Sequence, residues 1–235
     1  MTLCRRKDDV RCIAYLGGFF ISLLLILPAQ SLTSEDDAMV AAVREFYGER
    51  AGQRARAWRQ LVREGQESGW SEKEVLSRVN SFFNRYHFID DIKLWGKDDY
   101  WATPLEMLGA AGGDCEDFSV AKYFSLLELG IADETLRLVY VKALRLNQFH
   151  MVVAYYPTPS SVPLILDNLE NTIRPATQRT DLVPVYSFNG QHLWLMKERG
   201  RGELAGQASR LSLWNDLRSR FGVNRLNRPK MNLEL

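Results

Sequence analysis

Three residue types suited to nucleophilic catalysis stand at separate places in the chain. The stretch GGDCEDFSVAKYFSLLELG (112–130) puts Cys115 between carboxylates, behind two glycines, where a helix should start. Unpaired backbone N–H groups and the helix dipole stabilise a thiolate at such a position. Asp114, Glu116 and Asp117 act in the opposite direction, because carboxylates beside a thiol disfavour its anion. A histidinium or a bound cation must offset them. His150 opens the segment HMVVAYY, and Asp167 closes PLILD. A hairpin centred between Thr158 and Pro159 would put positions 150 and 167 opposite each other, about 5 Å apart. An imidazole supported by a carboxylate on the next strand is the base and orienter that a cysteine nucleophile needs. Each residue also has a structural use: Cys115 as a small buried side chain, His150 as a hydrogen-bonded strand end, Asp167 as a turn residue beside Asn168. Asp114 and Glu116 would serve by themselves as N-terminal helix caps. The combination favours chemistry. His87 and His192 lack any His/Cys ligand spacing for zinc and read as structural.

The positioning elements follow from the pattern. Residues 34–86 read as helical, with an S-x-x-D start at Ser34 and a capping box at Ser71–Glu74 leading into Val75, Val79, Phe82 and Tyr86. Between them QRARAWRQLVREGQ (53–66) is a basic helix whose arginines should face solvent. Thr103, Pro104 and Glu106 supply the cap, N1 proline and N3 glutamate of a short helix expected to stop at Gly109. Gly112 and Gly113 should make a turn. Asp114 then caps a helix that buries Val120, Tyr123, Phe124 and Leu127 and ends at Gly130. After that the period changes. LRLVYVKAL (136–144), FHMVVAYY (149–156) and PLILDNL (163–169) read as strands. VYSF (185–188) and HLWLM (192–196) read as a hairpin around Asn189-Gly190. Helices followed by antiparallel strands are an α+β pattern. The basic segment 199–235 reads as an amphipathic helix carrying Leu204, Leu211, Trp214, Leu217 and Phe221, packed back on the domain with an untethered end.

The N-terminus does not belong to this core. Arg5, Arg6, Lys7 and Arg11 precede an uncharged 15-residue run, Ile13 to Leu27, then Pro28, Ala29 and Ser31. Residues 1–31 therefore read as a secretory signal, with an uncleaved anchor as the alternative; the run is shorter than the ~20 apolar residues of a span. Either way the remainder is exported. Its loss takes Lys plus Arg from 30 to 26 and Asp plus Glu from 29 to 27, so net charge moves from +1 to −1. That balance argues against a nucleic-acid partner. Cys4 and Cys12 leave with the signal, so Cys115 stands alone, without an internal disulfide partner in an oxidising compartment.

YWATPLEMLGAAGGDCEDFSVAKYFSLLELGI, HMVVAYY and PLILDNLENTI together resemble the bacterial transglutaminase-like cysteine proteinases, the LapG-type periplasmic proteases, over about residues 40–197. The resemblance implies a papain-like, transglutaminase-like core in 32–198, with helices packed on an antiparallel sheet. It implies Cys115 as nucleophile, His150 as general base and acid, and Asp167 as orienter. It further implies calcium held by Asp114 and Glu116, with Asp117 a possible third ligand; such a cation would offset the local negative charge. The Cys115 N–H would form part of an oxyanion hole, with Trp95 or Trp101 as candidate second donors. The implied substrate is the N-terminal region of a large surface adhesin, cut near paired alanines so that biofilm disperses. The implied regulator is an inner-membrane cyclic-di-GMP receptor whose periplasmic domain sequesters the protease. The same triad could instead transfer the acyl group to an amine, as a transglutaminase does, and a non-catalytic calcium-dependent binding module is the third expectation.

Overall fold

In a computed structural model, which describes residues 32–196, 202–231 and 233, helices come first and strands follow. The expected signal or anchor at 1–31 lies outside the described residues. Among those residues no helix is long and apolar enough to cross a membrane.

Helices α1 (Ser34–Tyr47), α2 (Glu49–Ser68) and α3 (Glu72–Phe83) divide the predicted helical region. The first cap is Thr33 rather than Ser34. Its hydroxyl accepts the Asp36 N–H at 3.1 Å, and the Asp36 carboxylate accepts the Thr33 N–H at 3.3 Å. Asp36 belongs at this position because it is buried against Arg59 and Arg63 of α2, which a box one residue later would lose. Ser71 caps α3, but Glu74 turns to Arg78, so only half of that box forms. The arginines of α2 do not simply face solvent. Arg59 is buried on Asp36 at 2.6 Å, and Arg54 donates to the carbonyls of Leu108 and Gly109. Packing between neighbours gives α2 two inward sides where the sequence suggested one.

Next come β1 (His87–Phe88), α4 (Asp91–Leu94), α5 (Pro104–Ala110), β2 (Gly112–Gly113) and α6 (Cys115–Glu128). The Thr103–Glu106 box forms as expected. Helix α5 continues past Gly109, and Ala111, at φ 61°, makes the left-handed exit. The two following glycines make no turn. They pair in parallel with His87 and Phe88, and a Cβ on Gly113 would lie 2.3 Å from the Asp117 carboxylate. Glycine is required there for close approach.

Seven strands complete the fold: β3 (Leu136–Ala143), β4 (Gln148–Tyr155), β5 (Leu164–Leu166), β6 (Arg174–Pro175), β7 (Leu182–Phe188), β8 (His192–Met196) and β9 (Gly202–Gln207). They lie in the order β6-β5-β4-β3-β7-β8-β9, every neighbour antiparallel. Helix α6 packs across β3 and β4. Phe118, Val120, Tyr123 and Leu126 share its core with Leu136, Leu138, Met151 and Val153. Burying a large side chain of this kind contributes about 1.5–3 kcal/mol. The Ser119 hydroxyl donates to the Met151 carbonyl at 2.9 Å and so fixes the first turns of α6 to β4.

Two strand-level expectations shift. The β7–β8 turn is centred on Gly190-Gln191, closed by the Asn189 N–H on the His192 carbonyl; Asn189 Oδ1 accepts two N–H groups inside it. The C-terminal segment is not one helix with a loose end. Leu204 lies on β9, the α-helix among the described residues is confined to Ser212–Ser219 (α7), and Trp214 and Leu217 are buried. Arg220 then reaches the buried Glu106 and the Trp101 carbonyl, and the Lys230 N–H bonds the Leu94 carbonyl at 2.7 Å. Tertiary partners tie this segment down, and none of them is visible in its own periodicity.

Candidate active site

Cys115 begins α6, with Asp114 in extended conformation before it. Asp114 is the N-cap, as expected, and Asp117 forms a capping box with it: the fully buried Asp117 accepts the Asp114 N–H at 3.4 Å and also the Ala102 N–H at 2.6 Å. Asp117 thereby locks the helix start to the 99–103 segment. The Cys115 thiol donates to Glu116 Oε2 at 2.9 Å. Burial first, then the Glu116 and Asp114 carboxylates, pushes that thiol well up; a backbone contact with Met151 opposes them.

His150 and Asp167 come together as expected, in a different register. Val153, Ala154 and Tyr155 pair with Leu166, Ile165 and Leu164, so the ladder is centred one residue later than predicted. Asp167 therefore sits across from Val152 by extension, diagonal to His150. An offset of two residues keeps both side chains on one face, within reach of a diagonal pair. His150 Nε2 meets Asp167 Oδ1 at 2.8 Å, both side chains buried. A cleft of about 510 Å³ is lined by Cys115 and His150 with Trp101, Tyr140, Asp99 and Glu116 among others. Asp167 is a firm anion. Burial alone would raise its carboxyl, but His150, the Leu169 N–H and Arg179 pull it down to about 2.

The acidic residues form two overlapping groups: Asp91, Asp114 and Asp117, and Asp91, Asp99 and Glu116. In each, one carboxylate oxygen per residue lies within 4.8 Å of the others. Asp114 and Glu116, singled out from the sequence, are thus joined by Asp117 and by two acids that the motif did not reveal. The only sequence signal for Asp91 and Asp99 is the acidic run IDDIKLWGKDD (89–99). Asp91 Oδ1 and Asp114 Oδ1 are buried with no hydrogen-bond partner. Burial pushes the Asp91 carboxyl up to about 7, against the Tyr100 N–H and with help from Glu116 and Asp99. Asp114 is raised further, by burial and then Asp117 and Glu116. Orphaned anionic oxygens packed this closely fit a hard cation with several oxygen ligands.

The candidate oxyanion donors separate. Trp101 lines the cleft, stacked on Phe188 at 5.7 Å with its indole engaged by Asp99. Trp95 packs on Tyr100 in a different cluster, with its N–H buried and unpartnered. His87 lies on the β1–β2 pairing and His192 beside Trp194, both exposed.

A solved structure of Legionella pneumophila LapG, EGTA-treated, is 39% identical, with a TM-score of 0.70; the match covers 81% of this chain and 99% of that one. The calcium-bound Legionella pneumophila LapG is 41% identical, with a TM-score of 0.67, over 78% and 98% of the two chains. No curated protein matches. A family model described as bacterial transglutaminase-like cysteine proteinase matches residues 50–198. That match takes in Cys115, the histidine strand, Asp167 and most of the sheet, and with it the chain belongs to the bacterial transglutaminase-like cysteine proteinases and has their transglutaminase-like fold.

Proposed function

We propose that the protein is a calcium-dependent periplasmic endopeptidase of the LapG type, acting through Cys115, His150 and Asp167. The observation that carries this reading is the 2.8 Å His150–Asp167 bond behind a cleft that His150 shares with Cys115. His150 takes the Cys115 proton, and the thiolate attacks the scissile carbonyl. The oxyanion forms near the Cys115 N–H at the helix start. His150 then returns the proton to the leaving amine, breaking the C–N bond. A water deprotonated by His150 hydrolyses the acyl-enzyme and restores the thiol. Asp167 keeps the imidazole in one tautomer and supports its transient charge.

Asp91, Asp99, Asp114, Glu116 and Asp117 would hold calcium. Such an ion would supply positive charge to offset the carboxylate repulsion on the thiolate. Glu116, which accepts a hydrogen bond from the Cys115 thiol in the structure, would be one of the residues that hold the ion. The relatives' EGTA-treated and calcium-bound forms support this reading.

The substrate is the N-terminal region of a large surface adhesin, whose release disperses biofilm. The regulator is the periplasmic domain of an inner-membrane cyclic-di-GMP receptor. The signal-like 1–31 supports export. Phe88, Phe149 and Leu169, each about half exposed around the cleft, supply apolar surface for an extended peptide or a sequestering partner to cover. Incubating the purified protein with candidate adhesin N-termini, with and without calcium, tests this function. Calcium-dependent cleavage that Cys115→Ala abolishes is expected; cleavage that persists in Cys115→Ala or in excess chelator refutes it.

A further inference from the structure

We propose that Arg179, itself clamped by Asp181, is a positioning residue that holds the Asp167 carboxylate in the rotation His150 requires. The inference rests on the Cys115–His150–Asp167 reading and adds a residue to it. The two oxygens of Asp167 divide their partners. Oδ1 meets His150 Nε2 at 2.8 Å and accepts the Leu169 N–H at 3.0 Å, whereas Oδ2 accepts Arg179 Nη2 at 2.7 Å. Tilting the carboxylate plane about the Cβ–Cγ bond would weaken charge-assisted bonds on both sides at once.

The arginine is in turn fixed before it meets Asp167. Its Nε and Nη2 engage the two oxygens of Asp181 at 3.0 and 2.9 Å, side-on, which sets the guanidinium plane. The backbone around it is tied as well: the Arg179 carbonyl accepts the Leu182 N–H, and the Asp181 carbonyl accepts the Leu144 N–H at the end of β3. At 7% exposure the side chain has little freedom to leave. A relay Asp181–Arg179–Asp167–His150 thus runs from the rim of the sheet to the cleft. Lys122 is a second basic group near Asp167, its charged form disfavoured by burial and favoured by that carboxylate. It is buried on α6, seven residues after Cys115 and so on the same helix face, and Asp167 is the charge that acts on its ammonium.

The test uses the purified, calcium-loaded protein, with the rate of Cys115 alkylation by iodoacetamide as the primary readout. Arg179→Ala should slow alkylation by about 10- to 100-fold, the scale of a small misplacement of a reacting group. Where an adhesin fragment is cleaved, kcat should fall by a similar factor and KM by less than about twofold. Arg179→Lys keeps the charge without the fork and should recover part of the rate. In an Asp167→Asn background, adding Arg179→Ala should change the rate by less than about twofold, because both act through one carboxylate. Should Arg179→Ala fail to fold, Asp181→Asn, which loosens the fork alone, should give an intermediate loss in protein of unchanged melting temperature. A full rate in folded Arg179→Ala or Asp181→Asn, or losses that multiply in the double variant, would overturn the inference. A full rate in Asp167→Asn alone would instead sink the triad reading on which it stands.

Discussion

Asp36 and Asp114 are both aspartates shielded at the start of a helix, and the chain treats them oppositely. Asp36 faces Arg59 at 2.6 Å and Arg63 at 2.8 Å. Burial alone would raise its carboxyl, but hydrogen bonds from Arg63, Thr33 and Arg59 bring it down to about 2. Asp114 has no such cation; its neighbours are Asp91, Glu116 and Asp117, and its carboxyl is pushed up. Glu106 with Arg220, and Asp167 with Arg179, follow the Asp36 pattern. Each of these three buried acids comes with an arginine. The acids around Cys115 come with other acids, a costly arrangement that makes sense when a cation from outside the chain completes it.

The largest effect should appear at the cleft without touching stability. Cys115→Ala should lower peptide cleavage by at least about 10³-fold, while the melting temperature and circular dichroism stay near those of the parent protein. Asp36→Ala should do the reverse. Leaving Arg59 and Arg63 partly unpaired in the interior should cost about 3–5 kcal/mol in denaturant unfolding, with cleavage per folded molecule retained. Equal stability in this variant would erase the contrast. Calcium should sharpen it further: at a hundred times its dissociation constant, calcium should add about 2.7 kcal/mol to unfolding, and Asp114→Asn should lose most of that gain while raising the melting temperature of the chelated protein. A calcium shift of equal size in Asp114→Asn would remove that residue from the ligand set.

The smallest effect is in pH. Asp36 is held at about 2 in the folded chain against 3.8 unperturbed, so it is the more acidic in the folded state. Its stabilisation is present above about pH 4 and is lost as pH falls through 2. The stability gap between the parent protein and Asp36→Asn should narrow over that window in thermal melts, and a gap constant from pH 5 to 2 would contradict it.

Much of the site was legible in the sequence because local rules apply there. The Thr103–Glu106 box, the start of α6 at Cys115, the strand bearing His150 and the strand that leads into Asp167 all follow from capping and period. The His150–Asp167 pairing survived an error of register because an even offset preserves the face. The cap at Thr33 was misplaced by one residue because Asp36, Arg59 and Arg63 decide it from two different helices. The glycines at 112–113 were misread as a turn because their need is for room beside Asp117, a contact that no local pattern encodes.

By itself, then, the sequence determined which residue types were available, the helix start that carries the sulfur, and the alternation that keeps imidazole and carboxylate on one face. Only the tertiary structure decided that Asp91 and Asp99 join the acids of α6, that Arg179 and Asp181 stand behind Asp167, and that residues 202–230 close onto the domain. The physical reason is range. Capping and strand period act over a few residues, whereas a shared charge cluster or a buried ion pair depends on where distant segments meet, and chain packing alone sets that.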